Sequence, residues 1–148
     1  IRDLYTNHEV AHSRSIQIDS TSTDIEFLTD PTLLRRVVGN MVKNGLEASG
    51  DNETVTLACS LNHTGIDFLV HNPRFMPRPI QLQVFQRSFS TKGSNRGLGT
   101  YSMKLLGERY LGGKVSFESS PDNGTTFKIW LPLTKPIEQT PSENASSR

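Results

Sequence analysis

The stretch "DPTLLRRVVGNMVKNGLEASG", Asp30 to Gly50, constrains this chain more than any other. Asp followed by Pro is a helix start: an N-cap residue, then a ring whose fixed φ suits the first helical position. Beyond it Leu34, Val37, Val38, Met41, Val42 and Leu46 recur at the helical period and fall on one face. Gly50, Asp51 and Asn52 end the run. A helix with one apolar stripe must bury it against another layer. The flanking sequence supplies strands for that layer.

Asp3 to Arg14 reads as a helix or its end, with Leu4, Val10 and Ala11 apolar. "SIQID" (Ser15 to Asp19) and "IEFLT" (Ile25 to Thr29) then alternate like two short strands around a Ser/Thr turn. After the main helix, "TVTLACSLN" and "GIDFLVHN" are strands joined by a turn at Asn62 to Gly65. Pro73 to Gly99 is irregular, with the short apolar piece "IQLQVFQRSF" ahead of a glycine-rich loop. "TYSMKLLGERYL" is a helix entered directly from that loop, and "KVSFESS" with "TTFKIWLPL" forms a hairpin-like pair turning at Pro121 to Gly124. The pattern predicts an α/β or α+β domain over residues 1–133, one sheet covered on one face by three helices. Residues 134–148 are polar and read as a disordered tail or linker.

Composition narrows the function classes. With 21% charged residues and a formal net charge of +1, no basic excess points to nucleic acid. The single Cys59 cannot form an internal disulfide. No apolar run approaches the ~20 residues of a membrane span, and no signal-peptide pattern is present. The chain begins with Ile rather than Met, which reads as a piece of a longer protein.

"HEVAH", His8 to His12, matches the zinc-protease pattern of two His flanking a Glu one helical turn apart. A third ligand is missing: the next helix offers only Glu47, and the sequence continues "SRSIQID" rather than toward Gly and a third His. The match is read as coincidence.

Three other stretches could carry chemistry. Asn40 and Asn44 lie at i and i+4 of the main helix, where Asn is a mediocre helix former. Their oxygens could bind a hard cation such as Mg2+, or they could simply form a solvated face. In "STKGSNRGLGT" (Ser90 to Thr100), Gly97 and Gly99 precede a helix whose N–H groups suit phosphate, with Lys92 and Arg96 nearby. The spacing is neither Walker A nor the dinucleotide fingerprint, and an ordinary glycine-rich turn fits equally. "LVHNP" ends a strand at Asn72, whose amide could pair with a base edge or merely start a turn.

In this order, "NMVKNGLEAS", "VFQRSFSTKG", "RGLGT" and "GTTFKIWLP" resemble the N box, F box, second and third glycine boxes of the ATP-binding catalytic domain of bacterial sensor histidine kinases. That domain belongs to the superfamily of DNA gyrase, the heat-shock chaperone ATPase and the mismatch-repair ATPase. The resemblance runs from about Asp3 to Leu133. It implies a two-layer α/β sandwich, its mixed and mostly antiparallel sheet covered on one face by about three helices. It also implies ATP contacts from Asn40, Asn44, Asn72, Met76, Phe85, Ser90, Thr91, Lys92, Gly93, Arg96, Gly97, Leu98, Gly99 and Thr125. Asn44, assisted by Asn40, would hold Mg2+ on the phosphates, and Thr125 would support adenine through water.

Hydrolysing relatives carry a Glu where this chain has Asn40, which cannot act as a general base. The resemblance therefore implies a kinase that delivers the γ-phosphate to a His on a dimerisation hairpin absent from this chain. The implied partners are that hairpin and a response regulator receiver domain. The implied location is cytoplasmic, without direct membrane contact, whether or not the parent is membrane-anchored.

One box departs from the family. Where Asp-x-Gly-x-Gly is usual, this chain reads Asn72-Pro73-Arg74-Phe75-Met76-Pro77. Asn72 can accept from the adenine amino group through its oxygen and can donate to the adjacent ring nitrogen, but it lacks charge assistance, a loss of ~1 kcal/mol or about fivefold. Arg74 stands where Gly is expected, and either narrows the pocket or points to solvent. The first outcome would leave a degenerate domain that acts by protein contacts. A serine kinase of the anti-sigma-factor type would share the same fold.

Overall fold

The computed structural model describes residues 1–6, 11–86 and 98–133. Its sheet contains β1 (Ser15–Ile18), β2 (Thr54–Leu61), β3 (Gly65–Asn72), β4 (Lys114–Ser120) and β5 (Gly124–Pro132), in the spatial order β1-β2-β3-β5-β4. Only the β1–β2 pair is parallel; the other pairs are antiparallel. Against one face lie α2 (Pro31–Ala48) and α4 (Leu98–Lys104), the latter running on into a wider π-helical segment, Leu105–Tyr110. α1 (Arg2–Thr6) and α3 (Arg78–Gln81) are short.

α2 forms as its sequence dictates. Asp30 Oδ1 accepts the Leu33 N–H at 3.0 Å and Pro31 occupies the first turn. The face carrying Val37, Val38, Met41, Val42 and Leu46 is buried, with Leu34 packed at its margin. Its partners are Val55, Val70, Phe127 and Ile129 of the sheet, with Met103 of α4 alongside. Each such side chain contributes about 1.5–3 kcal/mol on burial. The helix ends where Ser49 Oγ turns back onto the Gly45 carbonyl, at 2.7 Å.

Strand alternation decides which residues reach the site. In β3, Ile66, Val70 and Asn72 are buried, so the period of two carries Asn72 to the helix-covered face at the strand's end. Register then pairs Asn72 with Thr125 of β5, and Thr125 with Ser119 of β4.

Two expected elements differ. Ile25–Thr29 is not a strand: β1 and the Ser22–Thr23 segment already occupy the edge of β2 through Cys59, with Thr23 N–H donating to the Cys59 carbonyl at 2.9 Å. The alternation there reflects Phe27 packing on Phe68, ring centroids 5.9 Å apart, while Leu28 is exposed. The first helix is described over Arg2–Thr6, residues 7–10 lie outside the described residues, and Ala11 to Ser13 form a turn rather than a helix, with Ser13 at φ 61°. That turn is tied to the end of α2, with Asn52 N–H donating to the Ser13 carbonyl at 2.8 Å and Arg14 Nε to the Ser49 carbonyl at 2.7 Å. His8 and Glu9 lie outside the described residues, and His12 sits in this turn.

Candidate functional site

The site is assembled where α2, the first turn of α4 and the ends of β3 and β5 meet. Asn40 and Asn44, one turn apart on α2, are both half-buried. Asn40 Nδ2 donates to the Gly99 carbonyl at 3.4 Å, a long bond that joins the two helices. The Asn44 side chain makes no hydrogen bond to any described residue. A Cβ added at Gly99 would meet nothing within 4 Å, so packing among the described residues does not require glycine there. Leu98 and Gly99 lie in the first turn of α4, where backbone N–H groups lack helical partners. Ser90, Thr91, Lys92, Gly93, Arg96 and Gly97 lie outside the described residues.

One residue beyond Asn44, Gly45 faces Asn72: a Cβ at that glycine would stand 3.8 Å from Asn72 Nδ2 and 3.3 Å from Val55. Asn72 is 2% exposed, and its Oδ1 accepts the Arg74 N–H at 3.1 Å. Thr125, also 2% exposed, donates its hydroxyl proton to the Arg74 carbonyl at 2.7 Å. The Ser119 hydroxyl stands 2.7 Å from Thr125 Oγ1 and accepts the Met76 N–H at 2.8 Å. Because the Thr125 proton is spent on Arg74, Ser119 is the donor in the hydroxyl pair. The chain from Asn72 to Met76 is thereby fastened to β4 and β5.

Gly124 permits the closest approach. Its φ is +71°, and a Cβ there would come within 2.2 Å of the Asn72 carbonyl. Only glycine meets both conditions without strain.

Arg74 does not enter the site. Its half-exposed side chain turns to the end of α2, where Nε bonds Glu53 Oε2 at 2.9 Å. The Gly50 N–H, and secondarily Arg74, hold the Glu53 carboxyl below its usual range. Phe85 is half-buried, edge-on to Phe117 and Phe127 at 5.6 and 6.2 Å, with Lys104 Nζ 4.9 Å from its ring centroid.

The structure thus brings Asn40, Asn44, Asn72, Gly99 and Thr125 into one neighbourhood, with Met76 anchored through its backbone and Phe85 packed in the aromatic cluster. Sequence reading missed Ser119 and Glu53. Ser119 was accessible in principle, because a hairpin turning at Pro121–Gly124 sets it opposite Thr125. Among the described residues, no group of three or more His, Cys, Asp or Glu could hold a metal ion. None of the described helices is long and apolar enough to cross a membrane.

The model of the histidine kinase-, DNA gyrase B- and HSP90-like ATPase family matches residues 29–135. The sensor histidine kinase ZraS of Escherichia coli (strain K12) is 30% identical over 126 residues, covering 83% of this chain and 27% of that protein. The chain thus spans about a quarter of this curated relative's length. The nucleotide-free catalytic domain of the histidine kinase ThkA superposes with a TM-score of 0.77 at 25% identity, over 90% of this chain and 89% of that one. ThkA in complex with the response regulator protein TrrA aligns with a TM-score of 0.71 at 23% identity, over 90% of this chain and 39% of that one, a likeness of fold.

Proposed function

The chain belongs to the histidine kinase-, DNA gyrase B- and HSP90-like ATPase family, and we propose that it is the Mg-ATP-binding catalytic domain of a sensor histidine kinase. The observation that carries this reading is the Asn44 side-chain amide, half-buried and without a partner among the described residues, one turn from Asn40, which reaches the Gly99 carbonyl in the first turn of α4. That pairing suits a bound magnesium phosphate. Asn44 would hold Mg2+ through its side-chain oxygen, assisted by Asn40 one turn earlier. Mg2+, when bound, supplies charge neutralisation along the phosphates. Asn72 and Thr125 form the base end of the site, and Met76 lines it. Lys92 and Arg96 would face the phosphate chain and the Gly97 to Gly99 amides would cradle it, with Ser90, Thr91 and Gly93 as further ATP contacts.

The absence of a carboxylate at Asn40 favours transfer over hydrolysis, since no side chain there takes a proton from water. In the transfer, the γ-phosphoryl leaves its oxygen on ADP and bonds to an imidazole nitrogen of a dimerisation hairpin in the parent. From there it passes to a response regulator, a partner class supported by the ThkA–TrrA likeness. On this reading the domain works in the cytoplasm, and by itself it binds nucleotide only.

The rival, a degenerate module closed to nucleotide, rested on Arg74 filling the pocket. The ion pair of Arg74 with Glu53 speaks against that. The test uses a longer piece of the parent that includes the hairpin, incubated with γ-labelled ATP. Label that is acid-labile and base-stable, and lost in Asn44→Ala, supports the reading. Label on Ser, or none although nucleotide binds, refutes it.

A further inference from the structure

Arg74 holds two polar groups of the base end with its own main chain. Its N–H donates to Asn72 Oδ1 at 3.1 Å, and its carbonyl accepts the Thr125 hydroxyl at 2.7 Å. Where this one residue sits therefore sets how Asn72 and Thr125 are presented. Yet it lies in the irregular segment between β3 and α3, where no strand or helix ladder fixes the backbone. On one side that segment is tied down through the Met76 N–H, which donates to Ser119 Oγ.

The Arg74 side chain supplies a tie in another direction, to the turn after α2, where its Nε donates to Glu53 Oε2 at 2.9 Å. That carboxylate is fixed independently of the guanidinium. The same oxygen accepts the Gly50 N–H at 2.6 Å, the Glu53 N–H donates to the Gly50 carbonyl at 3.2 Å, and the Glu53 carbonyl accepts the Ser15 N–H at 3.1 Å. Gly50 leaves a seat for the guanidinium, since a Cβ there would collide with it. An exposed ion pair gains little when two long side chains must be ordered together. Here one partner is already ordered, and only the arginine loses freedom.

We propose that Arg74 and Glu53 form a latch that positions the base end for nucleotide, an inference that rests on the nucleotide-binding reading above. Neither side chain is among those proposed to contact nucleotide, and both act as positioning residues. With the latch closed, the chain from Asn72 to Met76 is held in its binding geometry before nucleotide arrives. With it open, that geometry is one of several, and the apparent affinity falls with the fraction that keeps it. A latch cannot raise affinity by more than its own strength, which for a pair half in solvent limits the effect to about two- to fivefold.

The test is calorimetric titration with Mg-ATP of the unaltered chain, Arg74→Ala, Glu53→Gln and the double variant. Each single variant should raise Kd by about two- to fivefold, and the double variant no further than the larger single effect. Arg74→Lys, which keeps the cation, should recover part of the loss. Urea denaturation should show every variant fully folded at zero urea, so that Kd reports the site and not the folded fraction. Folded variants that bind as tightly as the unaltered chain, single losses that multiply in the double variant, or Arg74→Lys no better than Arg74→Ala would each overturn the latch and leave the nucleotide-binding reading standing. An unaltered chain that binds no ATP at millimolar concentration would end both. Should Arg74→Ala not fold, Glu53→Gln decides alone, and an unchanged Kd there overturns the latch.

Discussion

The two ends of the site are built differently. At the base end, Asn72, Arg74, Met76, Ser119 and Thr125 are joined by short hydrogen bonds between 2.7 and 3.1 Å, and Gly124 lets the strands close over them. At the proposed phosphate end, the Asn40 side chain has one bond, of 3.4 Å, and the Asn44 side chain none, among the described residues. The proposed base pocket is thus part of the fold's own polar accounting, whereas the side chain of the proposed metal ligand contributes no hydrogen bond to it among the described residues. Substitutions at the first end should therefore cost stability, and those at the second should cost binding alone.

The largest effect should come from Gly124→Val. It combines a left-handed φ with a Cβ driven against the Asn72 carbonyl, and urea denaturation should show a loss on the order of 3 kcal/mol or more. Thr125→Val should be next. It leaves the Arg74 carbonyl without its donor, and the same measurement should show about 1–3 kcal/mol. Asn44→Ala should leave the unfolding midpoint unchanged or slightly raised, because an Asn whose side chain has no partner among the described residues gives way to a better helix former. Its Mg-ATP affinity should nevertheless fall by about tenfold or more. A stability loss in Asn44→Ala matching that of Thr125→Val would erase the contrast between the two ends.

The smallest effect concerns the Arg74–Glu53 pair, which is half in solvent and so contributes little. Gly50 and Arg74 depress the Glu53 carboxyl, so its stabilisation is complete above the ordinary carboxylate range and is lost as pH falls through the folded-state value. The stability difference between the unaltered chain and Glu53→Gln should be flat at neutral pH and shrink only in acid. A difference that grew on acidification would contradict the assignment.

Much of this was legible in the sequence where the controlling forces are local. α2 announced both its ends and its buried face, because an N-cap, a proline and a 3.6-residue stripe act within one segment. The inward position of Asn72 followed from a period of two through "GIDFLVHN". Ile25–Thr29 was misread because alternation cannot reveal that the edge of β2 is already taken. The direction of Arg74 depended on Glu53, 21 residues earlier and brought near only by the sheet. Ser119 was missed because its role exists only once β4 and β5 are in register.

The most direct test is a calorimetric titration of the chain with ATP, once in Mg2+ and once in EDTA. Site assembly from Asn44, Gly99, Asn72 and Thr125 requires saturable one-to-one binding that weakens by about tenfold or more without the metal. Binding that is absent at millimolar ATP, or equally tight in EDTA, would contradict it.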